Sequence, residues 1–131
     1  MIDQQLRTLA SEGRNFGVLT TQMPDGSFQS QVLWVDADDE HLLVNTEVDR
    51  QKHRNVQRNP RVTLTVIDAA NPYHYAEARG RVVGEERGPR ARAHIDELAQ
   101  RYTGGPYDAA AIKTERVILR IEPERLHVNG A

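Results

Sequence analysis

A basic segment in the first half of the chain carries the residues best suited to bind an anion. Residues 50–61 contain five arginine or lysine residues and no acid, although the whole chain has a net charge of −2. Asp49 is predicted to be the N-cap of a helix, which places Arg50 and Lys52 in the first turn. Free backbone N–H groups and the helix dipole attract anions there. The segment therefore predicts a phosphate site, and the alternative is a solvated basic helix face with Val56 as its only buried anchor.

Other kinds of chemistry lack the residues that they need. The chain has no cysteine, which excludes disulfides, thiolate nucleophiles and iron–sulfur clusters. Its five histidines show no metal-ligand spacing, so we expect no metal site. Glycine-rich nucleotide-binding motifs and the nucleophile elbow of hydrolases are absent from the sequence. No pattern identifies a catalytic acid or base, so the sequence assigns no catalytic residue.

Length and composition indicate one globular domain over residues 1–131. The chain is 38% hydrophobic and 27% charged, as is usual for a soluble protein. No apolar run reaches the roughly 20 residues that cross a bilayer, and residues 1–14 lack the apolar stretch of a signal peptide. The slightly negative charge gives no general attraction to polyanions. We therefore expect a cytoplasmic protein that binds neither nucleic acid nor membrane.

Short β-type segments separated by turns make up most of the chain. Phe16–Thr21 and Phe28–Val35 flank the turn Met23–Gly26 and predict a hairpin. His41–Asn45 follows a polar turn at Asp36–Asp39 and is predicted to extend the hairpin into a three-stranded meander.

The rest of the chain adds strands and helices of similar length. Gly80 is expected to mark a bulge or a close backbone approach, and Pro123 to interrupt the last strand before Leu126–Val128 pairs at an edge. Strand-like alternation occurs in Arg61–Asp68, Tyr73–Gly84 and Val117–Ile121. Helical spacing occurs in residues 2–9, after Asp49 up to Pro60, and in Pro89–Tyr102. These elements predict a mainly β (α+β) fold, a closed or half-closed antiparallel barrel of about six strands with two or three short helices.

The order of these elements and their polar residues resembles a known family. The motifs that carry the resemblance are Asn45-Thr46, Arg50-x-Lys52-x-Arg54-Asn55, Asn59-Pro60-Arg61-Val62, Asn71-Pro72-Tyr73 and Glu77-x-Arg79-Gly80-Arg81-Val82. Over residues 15–128 this order resembles the deazaflavin-using branch of the pyridoxamine 5′-phosphate oxidase-like, FMN-binding split β-barrel superfamily.

The resemblance implies coenzyme F420 as the cofactor, bound in clefts between the two subunits of a homodimer. It also implies a set of cofactor-binding residues: Gln29, Gln31, Val32, Leu33, Asn45, Thr46, Arg50, Lys52 and Asn55. Within this set, Asn45, Thr46, Arg50 and Lys52 are expected to hold the phosphate region, and the strand Gln29–Leu33 to lie along the ring. Strand alternation places Gln29, Gln31 and Leu33 on one face, so Gln31 is the side chain expected to assist.

The implied activity is hydride transfer between the reduced deazaflavin and a small conjugated organic acceptor. Two alternatives stay open at this point: an FMN-dependent enzyme of the pyridoxamine phosphate oxidase type, and a non-enzymatic module that binds a cofactor or a tetrapyrrole such as haem. The oxidase is disfavoured because the C-terminal residues offer little beyond Arg125 and His127 for a substrate phosphate. Trp34 and Tyr75 are further candidates to line a ring pocket.

Overall fold

Alternating apolar and polar residues form seven strands in one antiparallel sheet. The computed structural model describes residues 1–130. The strands are β1 (Phe16–Gln22), β2 (Phe28–Leu33), β3 (Asp36–Ala37), β4 (Leu42–Glu47), β5 (Arg61–Ile67), β6 (Tyr75–Arg87) and β7 (Arg116–Asn129). Their order in the sheet is β2-β1-β5-β6-β7-β4-β3. This confirms the predicted mainly β fold, and the strand beyond the expected six is the two-residue β3, which lies within the predicted polar turn.

The helices lie where helical spacing predicts them. They are α1 (Gln4–Ser11), α2 (Gln51–Arg58) and α3 (Pro89–Thr103), followed by a 3₁₀ turn at Ala109–Ala111. The Asp3 carboxylate caps α1 by accepting the Leu6 N–H at 3.0 Å. Helix α3 begins at Pro89 and ends at Gly104, whose φ of 80° suits a glycine after a helix. No helix among residues 1–130 is long and apolar enough to span a membrane.

The predicted meander is wrong in its third strand. Strands β1 and β2 pair as the expected hairpin, whereas β4 pairs with β7, Leu42 opposite Ile121 and Glu47 opposite Arg116. Residues of both β2 and β4 line a cleft, so the two strands flank an opening rather than share a ladder. Local spacing does not predict this pairing because the partner of β4 lies far along the chain.

Strands β6 and β7 form the longest ladder and contain a bulge at Gly80. The register shifts between Arg79 and Gly80, and a Cβ on Gly80 would overlap the backbone carbonyl of Glu122. Both predictions for Gly80 are therefore confirmed. Pro123 lies opposite Gly80. The prediction that Pro123 interrupts the last strand is wrong, because the bulge tolerates a residue without an N–H. Strand β7 continues, and Leu126–Val128 pairs with β6.

Aliphatic side chains from five of the seven strands form the interior of the sheet. Each of these strands contributes a buried residue: Leu19, Val44, Leu64, Ala78 and Leu119. Helix α1 adds Leu6 and Leu9 to the same cluster. This close-packed core fixes the relative positions of the strands that border the cleft.

Candidate functional site

A cleft of about 350 Å³ opens between β2, β4 and the start of α2. Seven of the nine predicted cofactor-binding residues line it: Gln31, Val32, Leu33, Asn45, Thr46, Arg50 and Lys52. The lining is completed by Trp34, Ile95, Tyr107 and Arg116. The chain therefore brings together segments that lie far apart in the sequence, including the ring and phosphate segments of the prediction.

Two of the predicted residues and one aromatic candidate lie outside this lining. Asn55 is fully buried, and its Nδ2 donates to Thr21 Oγ1 at 3.0 Å. Its amide thus joins α2 to β1 instead of facing the cleft. Gln29 lies opposite Thr21 in the β1–β2 ladder. Tyr75, on β6, lies with its ring centroid 6.3 Å from that of His127.

Helix α2 begins later than the sequence predicts. Arg50, rather than Asp49, is its N-cap, and Arg50 makes no side-chain capping hydrogen bond. Asp49 instead adopts a left-handed backbone conformation with a φ of 71°. Lys52 is in the first helical turn, as predicted, beside backbone N–H groups that have no partner within the helix.

The inner side of α2 is held by a buried histidine. His53 is 3% exposed, and its Nδ1 accepts the Asp49 backbone N–H at 3.2 Å. A backbone N–H can only donate, so the Nε2 of a neutral His53 carries the proton and donates it to Glu85 at 2.8 Å. Since His53 and Asn55 are buried together with Val56, α2 is not a solvated face with a single anchor.

Glu47 is a buried carboxylate that lies next to two arginines of the cleft, Arg50 and Arg116. Its side chain is 2% exposed and accepts the backbone N–H groups of Lys113 and Thr114 at 2.6 and 2.9 Å. Arg50 donates to its other oxygen at 2.6 Å. Burial alone would raise the pKa of Glu47, but these hydrogen bonds outweigh burial and lower the pKa to about 2. Glu47 is therefore ionised at neutral pH.

The cations outnumber this carboxylate. Arg50, Lys52 and Arg116 line the cleft, and three positive charges against the single charge of Glu47 leave a net charge of about +2. Burial and the charges of Arg50 and Arg116 lower the pKa of Lys52. Its ammonium makes no ion pair with any residue in 1–130, so an anion in the cleft would meet an uncompensated cation.

Asn45 lies at the centre of a buried polar chain. Its Nδ2 donates to the Ala91 carbonyl at 2.9 Å and contacts His94 Nδ1 at 3.1 Å, and its Oδ1 accepts from Arg116 Nε at 2.8 Å. Because Arg116 only donates and the carbonyl only accepts, these partners fix the amide orientation. His94 Nε2 in turn donates to Asp36 at 2.9 Å. Asn45 therefore orients Arg116, whereas the prediction placed it on the phosphate.

Thr46 supplies the clearest sign that the cleft accommodates a polar ligand. The residue is 1% exposed, and its hydroxyl has no hydrogen-bond partner within the described part of the chain. An unpartnered buried hydroxyl costs roughly 1–3 kcal/mol. A phosphate oxygen beside Thr46 would remove that cost, so the residues present fit an anionic group.

Two aromatic rings, those of Trp34 and Tyr107, contribute to the apolar part of the cleft lining. Trp34 stacks on Tyr102 with ring centroids 5.3 Å apart and an interplanar angle of 9°. Tyr107 meets Trp34 edge-on at 6.3 Å. Trp34 lines the cleft, as predicted, and a flat heterocycle would find apolar surface beside the basic one.

Three lining residues were missed by the sequence predictions. Ile95 fits the apolar spacing of α3 and Tyr107 lies in a loop, so neither has a local mark of function. Arg116 directly precedes the apolar block of β7. Only the β4–β7 pairing brings Arg116 to the cleft, and the meander prediction assigned a different partner to β4.

Comparisons with known proteins agree with this geometry. A family model described as pyridoxamine 5′-phosphate oxidase matches residues 2–130. The solved structure of an F420 reductase is 35% identical, covers 96% of this chain and 98% of its own, and has a TM-score of 0.81. No curated protein matches the chain.

More distant structures show likeness of fold alone. A conserved hypothetical protein from Mycobacterium tuberculosis is 24% identical over 98% of this chain and 84% of its own, with a TM-score of 0.74. HutZ, the haem storage protein of Vibrio cholerae, is 17% identical over 89% of this chain and 87% of its own, with a TM-score of 0.63. The family predicted from the sequence is confirmed by the family match and by the F420 reductase.

Proposed function

We propose, since the chain belongs to the pyridoxamine 5′-phosphate oxidase family, that it is a coenzyme F420-dependent oxidoreductase. Hydride passes between the reduced deazaflavin and a small conjugated organic acceptor. The observation that carries this proposal is the basic cleft, which is lined by Arg50, Lys52 and Thr46, the last with an unpartnered buried hydroxyl. The similarity to an F420 reductase supports a deazaflavin over FMN.

The residues of the cleft divide between the two parts of the cofactor. Arg50, Lys52 and Thr46 would hold the phosphate, and the edge of β2 at Gln31–Leu33 would lie along the ring. The deazaflavin supplies the hydride chemistry when bound, and the protein orients it and limits the access of water. Gln31 is exposed, lines the cleft and is therefore the polar β2 side chain there that is available to a ligand.

Parallel titrations of the purified protein with coenzyme F420 and FMN test the cofactor. We expect F420 to bind more tightly, and preferential binding of FMN or haem would reject the proposal. Steady-state oxidation of reduced F420 with candidate acceptors then separates an enzyme from a carrier. A protein that binds F420 without accelerating its oxidation by any acceptor would be a cofactor-binding module.

The Lys52 ammonium gives the most direct mutational test of the phosphate site. Charge-assisted hydrogen bonds contribute roughly 1.5–3 kcal/mol, so Lys52→Ala should raise the F420 dissociation constant by about one to two decades. The fold should be retained, because a cation at a helix N-terminus does not stabilise the unliganded protein. Arg58→Ala is the matched control, since Arg58 lies at the other end of α2. Equal affinities of both variants and the parent protein would place the phosphate elsewhere.

We also propose that the protein is a homodimer with the cleft at the subunit interface. Strand β2 ends the sheet and exposes 72% of Phe28 and 71% of Val32. A second copy that covers β2 would bury this apolar surface and protect the open edge. Val32 also lines the cleft, so the same contact would complete the cofactor site. Sedimentation should show a dimer at micromolar concentration; a monomer with unchanged F420 affinity contradicts this arrangement.

A further inference from the structure

Arg116 is a buried guanidinium whose hydrogen-bonding capacity is only partly used. Its side chain is 5% exposed. Nε donates to Asn45 Oδ1 at 2.8 Å, Nη2 to the Asn45 carbonyl at 3.3 Å, and Nη1 to the Tyr107 hydroxyl at 3.4 Å. A guanidinium has about five N–H groups, so one on each terminal nitrogen has no acceptor among residues 1–130.

The counter-charge of Arg116 is shared with other donors. The nearest carboxylate oxygen is Glu47 Oε2, which lies 3.7 Å from Nη1, and Arg50 donates to the same oxygen at 2.6 Å. Burial lowers the pKa of Arg116, against the opposing effects of Tyr107 and Glu47. A buried charge that is only partly compensated is costly, and an additional anion would remove that cost.

The orientation of Arg116 is built into the fold. Asp36, His94 and Asn45 form a continuous hydrogen-bonded chain that ends on the guanidinium, and His94 and Asn45 are 2% and 9% exposed. Such a chain restricts the guanidinium to one plane, and Arg116 is one of the residues that line the cleft. The planar fork of a guanidinium matches the two oxygens of a carboxylate.

We infer that Arg116 and Tyr107 form a second anion subsite, which binds a carboxylate of the same ligand whose phosphate lies between Arg50, Lys52 and Thr46. This inference rests on the proposed function and identifies a residue that selects between cofactors. Coenzyme F420 carries carboxylates beyond its phosphodiester, whereas FMN has a phosphate and no carboxylate. Arg116 thus contributes affinity for F420 that FMN and other carboxylate-free flavins do not gain.

A double-mutant cycle between protein and ligand tests the subsite. The ligands are coenzyme F420 and the deazaflavin 5′-phosphate, which has the ring and the phosphate but no carboxylate. The variants are Arg116→Gln and, as the matched control, Arg120→Gln, which removes a cation that pairs with Glu86 further along β7. Binding is measured at equilibrium without an acceptor, and thermal unfolding reports whether each variant is folded.

We expect Arg116→Gln to raise the F420 dissociation constant about tenfold and that of the deazaflavin 5′-phosphate less than about twofold. Arg120→Gln should change neither. If Arg116→Gln leaves F420 affinity unchanged, or weakens both ligands equally, the inference is overturned while the proposed function stands. Failure of the parent protein to bind either deazaflavin overturns both.

The inference stays testable if Arg116→Gln does not fold. The parent protein should then bind F420 about tenfold more tightly than the deazaflavin 5′-phosphate, and Arg116→Lys, which retains the charge without the fork, should reduce this ratio. Equal affinity of the parent protein for the two ligands excludes a carboxylate subsite in the cleft.

Discussion

The two walls of the cleft are each held by a buried histidine, His53 in α2 and His94 in α3. Both imidazoles accept a hydrogen bond on Nδ1 and donate from Nε2 to a carboxylate, Glu85 for His53 and Asp36 for His94. They differ in what they hold. His53 fixes a backbone N–H at the start of α2, whereas His94 fixes the amide of Asn45 and, through it, the direction of a guanidinium.

This difference has a thermodynamic consequence. Asp49, the partner of His53, is exposed, so water can replace the imidazole if it is lost. Asn45, the partner of His94, is 9% exposed and has no such replacement. The same side chain in nearly the same hydrogen-bonded state should therefore contribute more to stability on the α3 wall than on the α2 wall.

The largest expected effect comes from Glu47, which pairs with Arg50 at 2.6 Å and lies 3.7 Å from Arg116. Its pKa of about 2 in the folded state lies below the ordinary 4.5, which corresponds to about 3 kcal/mol of stability. Because the folded-state pKa is the lower one, this contribution is complete above pH 4.5 and is lost as the pH falls toward 2. Glu47→Gln should lower the free energy of unfolding by about 3 kcal/mol at pH 7.

Denaturant unfolding at several pH values between 7 and 2 measures this effect. The difference between parent and Glu47→Gln should shrink as the solution is acidified, since the parent then loses what the variant already lacks. Glu97→Gln, which changes an exposed carboxylate, serves as the control. A pH-independent difference would mean that Glu47 stabilises the fold by packing rather than by charge.

A smaller effect distinguishes the two histidines directly. His94→Ala should lower the free energy of unfolding by about 2 kcal/mol, because it leaves the amide of Asn45 unsatisfied in a buried position. His53→Ala should lower it by about 1 kcal/mol, and the exposed His127→Ala by less than about 0.5 kcal/mol. Equal losses at His53 and His94, measured by denaturant unfolding, would show that the two histidines contribute equally to stability and would contradict the proposed difference between the walls.

The smallest effect concerns the backbone that His53 holds. Glycine adopts the φ of 71° at position 49 without steric cost, so Asp49→Gly should change stability by less than about 1 kcal/mol, toward a more stable protein. In the Asp49→Gly background, His53→Ala should cost less than it does alone, as a double-mutant cycle would show. A clear loss of stability in Asp49→Gly would instead assign a structural role to the carboxylate.

The sequence predicts elements that depend on nearby residues. The β1–β2 hairpin, the three helices and the bulge at Gly80 follow from turn residues, spacing and glycine chemistry, and they are confirmed. The partner of β4 could not be predicted from nearby residues, because β7 lies far along the chain. Once β4 is placed beside β2, Arg116 on β7 has no reason to approach Asn45, and the guanidinium is missed.

The candidate site shows the same limit. The resemblance located the segments around Gln31 and Lys52, because the order of motifs along a chain is visible in the sequence. It did not show that the Asn45 side chain hydrogen-bonds to His94 and Arg116, or that Asn55 hydrogen-bonds to Thr21, because these contacts depend on side chains from other elements. The assignment of ligand-binding residues stays a prediction for the binding experiments.

The stacking of Trp34 on Tyr102 gives the protein an internal optical reporter. Trp34 is the only tryptophan in the chain, and it lines the cleft, so all indole emission originates beside the candidate site. A flat chromophore that enters the cleft should quench this emission, and unfolding should shift it to longer wavelength as the indole becomes hydrated. Occupancy and unfolding can therefore be followed in one unlabelled sample from a single fluorophore.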